Sequence, residues 1–289
     1  MRSRAAATVA LGLVWAGTAT AQEPDKSGYT LFNPTPKNLL RDMTTDRPDL
    51  TESPFTVDAG HVQVESTLFG YGRSRADADG TATKSYEYGT TNIRVGLTNS
   101  AEFNVVIQPH GVVQTRPVDP IDRTRVSGIG GVDLRMKINL WGNDTFGDPG
   151  TTALALLPFL TLPTDRDNGI SPDRIEGGLI VPYALKLSEK FGLGINGGFH
   201  VVSDGPDGGH HTEWLASAAL SYEWSEKFGT YYEVAGRFNT QDPRGEAVVL
   251  ATGFTYKLAD NLQLDGGVNF GVTKAADRIN PFLGLSVRF

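Results

Sequence analysis

The sequence predicts an all-β fold, a transmembrane antiparallel up-and-down β-barrel of about 12 strands. Three observations predict it: apolar and polar residues alternate over strand-length segments, short and long connections alternate, and aromatic residues gather at strand ends. The clearest segment is Gly131 to Leu140. There Val132, Leu134, Met136, Ile138 and Leu140 alternate with Asp133, Arg135, Lys137 and Asn139. A period of two puts the first set on one face of a strand and the charges on the other.

Such segments recur at 60–72, 85–97, 102–109, 128–140, 151–162, 176–187, 191–203, 213–224, 228–238, 247–258, 262–272 and 280–289. Most have the length a tilted strand needs to cross a bilayer, well above the usual five or so residues of soluble strands. Segments 151–162 and 247–258 are apolar on both faces, so alternation leaves their orientation open. Thr98–Ala101, Ser188–Lys190, Ser225–Lys227 and Ala259–Asn261 are short links. Arg73–Lys84, His110–Ser127, Pro163–Ile175, Asp204–Thr212, Asn239–Glu246 and Thr273–Ile279 are long and polar. Short turns on one rim and long loops on the other are the barrel pattern, with Trp141–Gly150 an exception on the short-turn side. Ser188-Glu189-Lys190-Phe191-Gly192 and Ser225-Glu226-Lys227-Phe228-Gly229 read as one hairpin solution used twice.

Trp141, Phe191, Tyr222, Trp224, Phe228, Tyr256 and Phe289 lie near short-turn ends; Tyr71, Trp214 and Phe238 lie near long-loop ends. Amphipathic rings settle at headgroup level, so two girdles are expected, with membrane lipid as the barrel's partner. The chain ends on a strand with Phe289, which resembles the C-terminal signal read by outer-membrane assembly machinery.

Residues 1–21 carry the three parts of a secretory signal: basic Met1-Arg2-Ser3-Arg4, an apolar stretch to Gly17, and Ala19-Thr20-Ala21. Export with cleavage after Ala21 is expected, leaving an N-terminal segment 22–59 and a barrel 60–289. The chain has 33 acidic and 26 basic residues; without Arg2 and Arg4 the basic count is 24 and the net charge −9. That balance argues against a nucleic-acid partner. The absence of cysteine excludes disulfides, thiolate metal sites and cysteine nucleophiles.

Segment 22–59 lacks long alternation, yet clusters Asp46, Arg47, Asp49 and Glu52. It reads either as a plug tucked into the lumen or as a periplasmic tail leading into the first strand. Strand parity turns Arg94, Asp133, Arg135, Lys137, Glu233 and Arg237 inward, as a pore constriction or as a structural ion-pair network. Among these, Arg94, Arg135, Lys137 and Arg237 are the expected wall partners of a plug. His210-His211 beside Asp204 and Asp207 lacks an evident set of four metal ligands, and Asp165-Arg166-Asp167 lacks the distal glutamate of a calcium loop. No metal and no cofactor is expected. His200 and Ser203 fall on opposite faces, so no nucleophile–base pair supports an enzyme.

Thr45-Asp46-Arg47-Pro48-Asp49-Leu50-Thr51-Glu52-Ser53-Pro54, followed by Gly60-His61-Val62-Gln63-Val64-Glu65, resembles the opening of the phenol-degradation meta-pathway outer-membrane proteins. Gly128-Ile129-Gly130-Gly131-Val132-Asp133 and Leu160-Thr161-Leu162-Pro163-Thr164 are similar to later landmarks of that family. The resemblance implies a transporter-like outer-membrane barrel that takes up or handles aromatic or other hydrophobic compounds. Passive passage of a small-molecule solute is therefore the expected function. The alternatives are a structural or adhesive barrel without transport, or a lipid-acting outer-membrane enzyme.

Overall fold

The computed structural model describes residues 25–165, 169–205, 208–242 and 245–289, so the expected signal peptide lies outside the described residues. Its strands are β1 (Val62–Arg73), β2 (Ala82–Tyr88), β3 (Thr90–Thr98), β4 (Ala101–Ile107) and β5 (His110–Arg116). There follow β6 (Thr124–Gly128), β7 (Val132–Trp141), β8 (Thr152–Leu162), β9 (Glu176–Lys186) and β10 (Phe191–Ser203). The last five are β11 (His210–Glu223), β12 (Phe228–Asn239), β13 (Ala247–Ala259), β14 (Leu262–Gly271) and β15 (Asn280–Arg288).

Twelve of these, β1, β3, β4 and β7 to β15, close an antiparallel barrel in sequence order. The seam pairs β1 with β15, from Gln63 opposite Arg288 to Gly70 opposite Phe282. Closure leaves no unpaired strand edge in the ring, the condition for crossing hydrocarbon with a sheet.

The remaining strands correct one expectation. Residues 110–127 are not simply a polar loop: β5 and β6 form a hairpin that prolongs β4 and β7, while β2 prolongs β3. The three prolonged strands break side by side, at Gly89, at Gln108-Pro109 and at Ile129–Gly131. Gly89 takes a φ of +68°, open to glycine at little cost, and Pro109 has no N–H to give the ladder. The Gly130 N–H bonds the Gln108 carbonyl across the gap at 2.9 Å. One bend line thus carries the sheet past the barrel rim.

Both twice-used turns close alike. The Leu187 and Ser188 N–H groups donate to the Phe191 carbonyl at 2.9 and 3.1 Å, and the Ser188 hydroxyl accepts from the Phe191 N–H at 3.1 Å. Trp224, Ser225 and Phe228 repeat the pattern at 3.0, 3.2 and 3.1 Å. Beside them the short-turn girdle forms a ring cluster, Phe191 on Tyr222 at 4.6 Å and Tyr222 on Trp224 at 4.8 Å. On the other rim, Trp214 stands opposite Phe238.

The two strands of open orientation are now placed. Ala153, Ala155 and Leu157 of β8 and Ala251 of β13 are buried inside, whereas Leu160 and Leu250 are exposed on the outer wall. On β7, Lys137 is fully buried and Arg135 is held by lumenal carboxylates, so the apolar set faces out. Met136, opposite Phe103, sits about five residues above the girdle residue Trp141, near the midplane of a roughly 25 Å apolar band. Met136→Arg should therefore cost about 2–4 kcal/mol, and Met136→Leu less than about 1.5 kcal/mol. Reversible denaturant unfolding in lipid vesicles measures both, and equal losses would mean that Met136 does not face lipid.

Candidate functional site: a lumen crossed by the N-terminal segment

Of the segment 22–59, the stretch Thr45–Pro54 contacts inner-wall residues of β7, β12 and β14, and we call it the plug for its position in the lumen. The chain from Asp25 enters from the short-turn rim and folds inside the barrel before β1. Its centre is a loop, Thr45 to Pro54, whose two ends meet on Arg94. That guanidinium donates to the carbonyls of Thr44 at 3.3 Å and Phe55 at 2.8 Å. Its other donors go to wall carboxylates, Glu65 at 2.7 Å and Glu102 at 3.0 and 3.1 Å. Five N–H groups thus meet five acceptors, the full capacity of an arginine, at a side chain with no solvent exposure.

Asp46 ties the loop to itself and to the wall. It accepts from the Ser53 hydroxyl at 2.9 Å and from Lys137, and lies 3.4 Å from Arg94. The Asp46 N–H donates to Glu65 at 3.0 Å. From this base the loop reaches across the lumen in three directions. Arg47 pairs with Asp265 of β14 at 2.8 Å and donates to Thr67 of β1. The Leu50 N–H and Thr51 hydroxyl donate to Glu233 of β12 at 2.9 and 2.6 Å. Glu52 pairs with Arg135 at 2.7 Å, and Arg135 in turn with Asp133 at 2.6 Å. Asn196 of β10 brackets the Glu52 backbone, accepting at 2.6 Å and donating at 3.0 Å.

Two glycines make room for this traffic. A Cβ on Gly284 would stand 2.1 Å from the Arg47 guanidinium, and one on Gly96 would stand 2.1 Å from the Asp58 carbonyl. Either side chain would push the segment off the wall.

Nearer the rim a second layer closes the base. Arg41 pairs with Asp58 at 3.3 Å and with Asp144 at 3.2 Å, and Lys26 reaches Asp144 at 2.9 Å. Asp144 belongs to the exceptional long link after β7. Within that link Asn143 donates to Thr56 at 2.7 Å, and Phe146 packs edge-on against Phe55 at 4.9 Å. The long link thus packs against the N-terminal segment.

Above the plug lies a cavity of about 540 Å³. Leu50 forms its floor; Ile180, Leu215, Ala235, Ala247 and Val249 wall one side, and Arg237, Asn269 and Asp277 bring polar groups. The charged strands β1, β3, β4 and β7 grip the plug, whereas β9, β11 and β13, and β12 apart from Glu233 and Arg237, present short or aliphatic side chains to the cavity.

All ten sequence-selected residues lie on the inner wall or the plug, but they do not act alike. Arg94, Lys137, Arg135 and Glu233 bind the plug, and Asp133 braces Arg135. Arg237 does not reach it: its side chain is 60% exposed and its ion pair is a loose one to Glu213 at 3.8 Å. Among the described residues Asp49 forms no ion pair, and its charged neighbours Glu233 and Glu52 are acidic. The reading by pattern did not single out Glu65, Glu102 or Asn196, although Gln63/Glu65 and Glu102/Asn104 carry the same alternation signal. His211 contacts Asp204 at 2.5 Å and Glu213 at 3.6 Å, and His200 lies 3.3 Å from Glu176. Among the described residues no three acidic or histidine side chains converge as a metal site.

The family model described as "Putative MetA-pathway of phenol degradation" matches residues 45–289, beginning at the first residue of the lumen-crossing loop. No curated protein matches the sequence. Among solved structures, an outer membrane channel from Pseudomonas putida F1 has a TM-score of 0.63 at 15% identity, over 85% of this chain and 100% of that one. That likeness shows a shared fold. The NanC porin (TM-score 0.48, 10% identity, 78% of this chain and 98% of that one) is more distant. So is the translocator domain of the autotransporter NalP from Neisseria meningitidis (0.49, 12%, 79% and 88%). With its signature loop in the lumen and the family model covering the loop and the whole barrel, the chain belongs to the family of the MetA pathway of phenol degradation.

Proposed function

We propose that this protein is an outer-membrane channel for passive entry of small molecules with apolar, including aromatic, bodies, exported by cleavage after Ala21. The observation that carries the reading is the cavity above the plug, about 540 Å³ and walled largely by aliphatic side chains inside a barrel whose lower lumen is charged. A space of that size matches a small-molecule site rather than a water-filled pore. Solute entering from the long-loop rim loses water against Ile180, Leu215 and Val249, then meets the loop Thr45–Pro54 as the barrier to onward movement. Two likenesses agree with this reading: the Pseudomonas putida neighbour is an outer membrane channel, and the family is linked to phenol degradation. Passage rather than catalysis is the proposed role, in keeping with the channel-like neighbour.

Single-channel recording in planar bilayers tests it. A small conductance, reduced reversibly by millimolar phenol but not by a sugar of similar mass, is expected. A silent barrel that no aromatic affects would favour a structural role instead.

A further inference from the structure

The connection from β14 to β15 folds over the cavity as a roof, and its fixation is unusual for a loop rich in small residues. Arg75, distant in sequence on the β1–β2 connection, donates to the carbonyls of Thr273 at 2.6 Å, Ala276 at 3.3 Å and Gly271. The Thr273 hydroxyl accepts from the Val248 N–H at 3.0 Å, and the Asp277 carbonyl accepts from the Gly271 N–H at 2.9 Å. Arg73 and Ile279 bridge the loop's end to β1. The pinned loop sorts its charges: Lys274 and Arg278 are exposed and take no part in the cavity, while Asp277 lines it.

Asp277 is the odd group in this wall. Among the described residues its carboxylate has no cation partner and no hydrogen-bond donor, and it lies over Gly72, where a Cβ would stand 2.5 Å from it. Burial alone pushes its carboxyl above the ordinary carboxylate value. A bound cation or hydroxyl donor would relieve that cost. The other charged group lining the cavity, Arg237, is partly offset by Glu213 at 3.8 Å. The cavity therefore combines an aliphatic wall with one uncompensated negative group under a fixed roof.

We propose that Asp277, presented by the loop that Arg75 pins, is the solute-selecting residue of the cavity, favouring small apolar-bodied solutes with an ammonium or hydroxyl head over carboxylates. This rests on the cavity being the solute site. An anionic solute would place like charge against Asp277 in a partly desolvated space, where repulsion is stronger than in water. Arg75 acts as a positioning residue, since it touches the roof and not the cavity.

Calorimetric titration of the full-length mature protein in lipid nanodiscs tests this with three probes of one ring each: benzylamine, phenol and benzoate. Binding at equilibrium needs no open pore, so this outcome is separable from the bilayer recording that tests passage. Benzylamine should bind at least about tenfold tighter than benzoate, as one close charge–charge interaction at reduced dielectric allows. Asp277→Asn should collapse that preference while phenol still binds. Arg75→Ala should collapse it too, by releasing the roof, and Arg75→Lys should restore part of it. Asp277→Glu, which keeps the charge, guards against a merely misfolded variant and should keep the order of the probes. A preference unchanged in Asp277→Asn, equal binding of benzoate by the parent, or no binding of any probe would each overturn the assignment, whatever the bilayer recording shows.

Discussion

Deleting Lys37–Pro54 is expected to raise single-channel conductance several-fold and to make the open level steadier. The deletion removes the lumen-crossing loop together with Arg41 and its latch to Asp58 and Asp144. It leaves Phe55 to β1, and with it the carbonyl that Arg94 holds at 2.8 Å. The ring should still form, because the β1–β15 seam pairs from Gln63/Arg288 to Gly70/Phe282 without any contribution from residues 37–54. Without the loop, Glu65, Glu102, Lys137, Glu233 and Asp265 would face water in a lumen that a stretch of chain had filled. A barrel of about 12 strands has little interior to spare, so removing that chain should change conductance more than any wall substitution. A deletion variant that inserts normally and conducts as the parent does would show that the pore is limited above the loop, at the roof over the cavity.

The second large effect is expected at Arg94. Arg94→Met keeps length and loses all five donors, leaving Glu65, Glu102 and Asp46 without their shared cation. Breaking a buried ion pair from one side costs about 3–5 kcal/mol, because the abandoned charge stays buried. Lys137 is 3.6 Å from Glu102 and bonds Asp46, so it can take up part of that charge but cannot reach the Thr44 and Phe55 carbonyls in the same way. The variant should therefore unfold at lower denaturant concentration and also show a noisier current, since the loop ends lose their common clamp. Arg94→Lys should recover little, because three donors on a point charge do not replace a planar fork. Arg94→Met combined with Glu102→Gln should recover some stability by removing one stranded charge. Parental stability and a quiet trace in Arg94→Met would mean that the network merely fills the lumen.

Much of this is legible in the amino-acid sequence alone. Alternation with a period of two is a local property of the backbone, so the parity of Arg94, Arg135 and Lys137 on their strands was enough to turn them inward. Girdle residues such as Trp141 and Trp224 were legible for the same reason, standing at the ends of those strands. The signature Thr45–Pro54 was visible as a charged, proline-bearing stretch before the first strand, though whether it entered the lumen was not.

What the sequence by itself determined is the face each residue takes and the places where strands end. The tertiary structure decided the partners. Asp46 is one of four charges in Thr45–Pro54, and only the structure shows that it, rather than Asp49, is the carboxylate of that loop held by Arg94 and Lys137. Arg47 and Asp265 are 218 positions apart and meet because β14 lies one strand from the seam. Arg237 carries the right charge on the right face, yet lies too far toward the long-loop rim to reach the plug. Strands β8 and β13, apolar on both faces, took their orientation from the ring. The physical reason is that pleat fixes direction residue by residue, whereas height and angular position in a lumen depend on closure, shear and register, which exist only once all 12 strands have met.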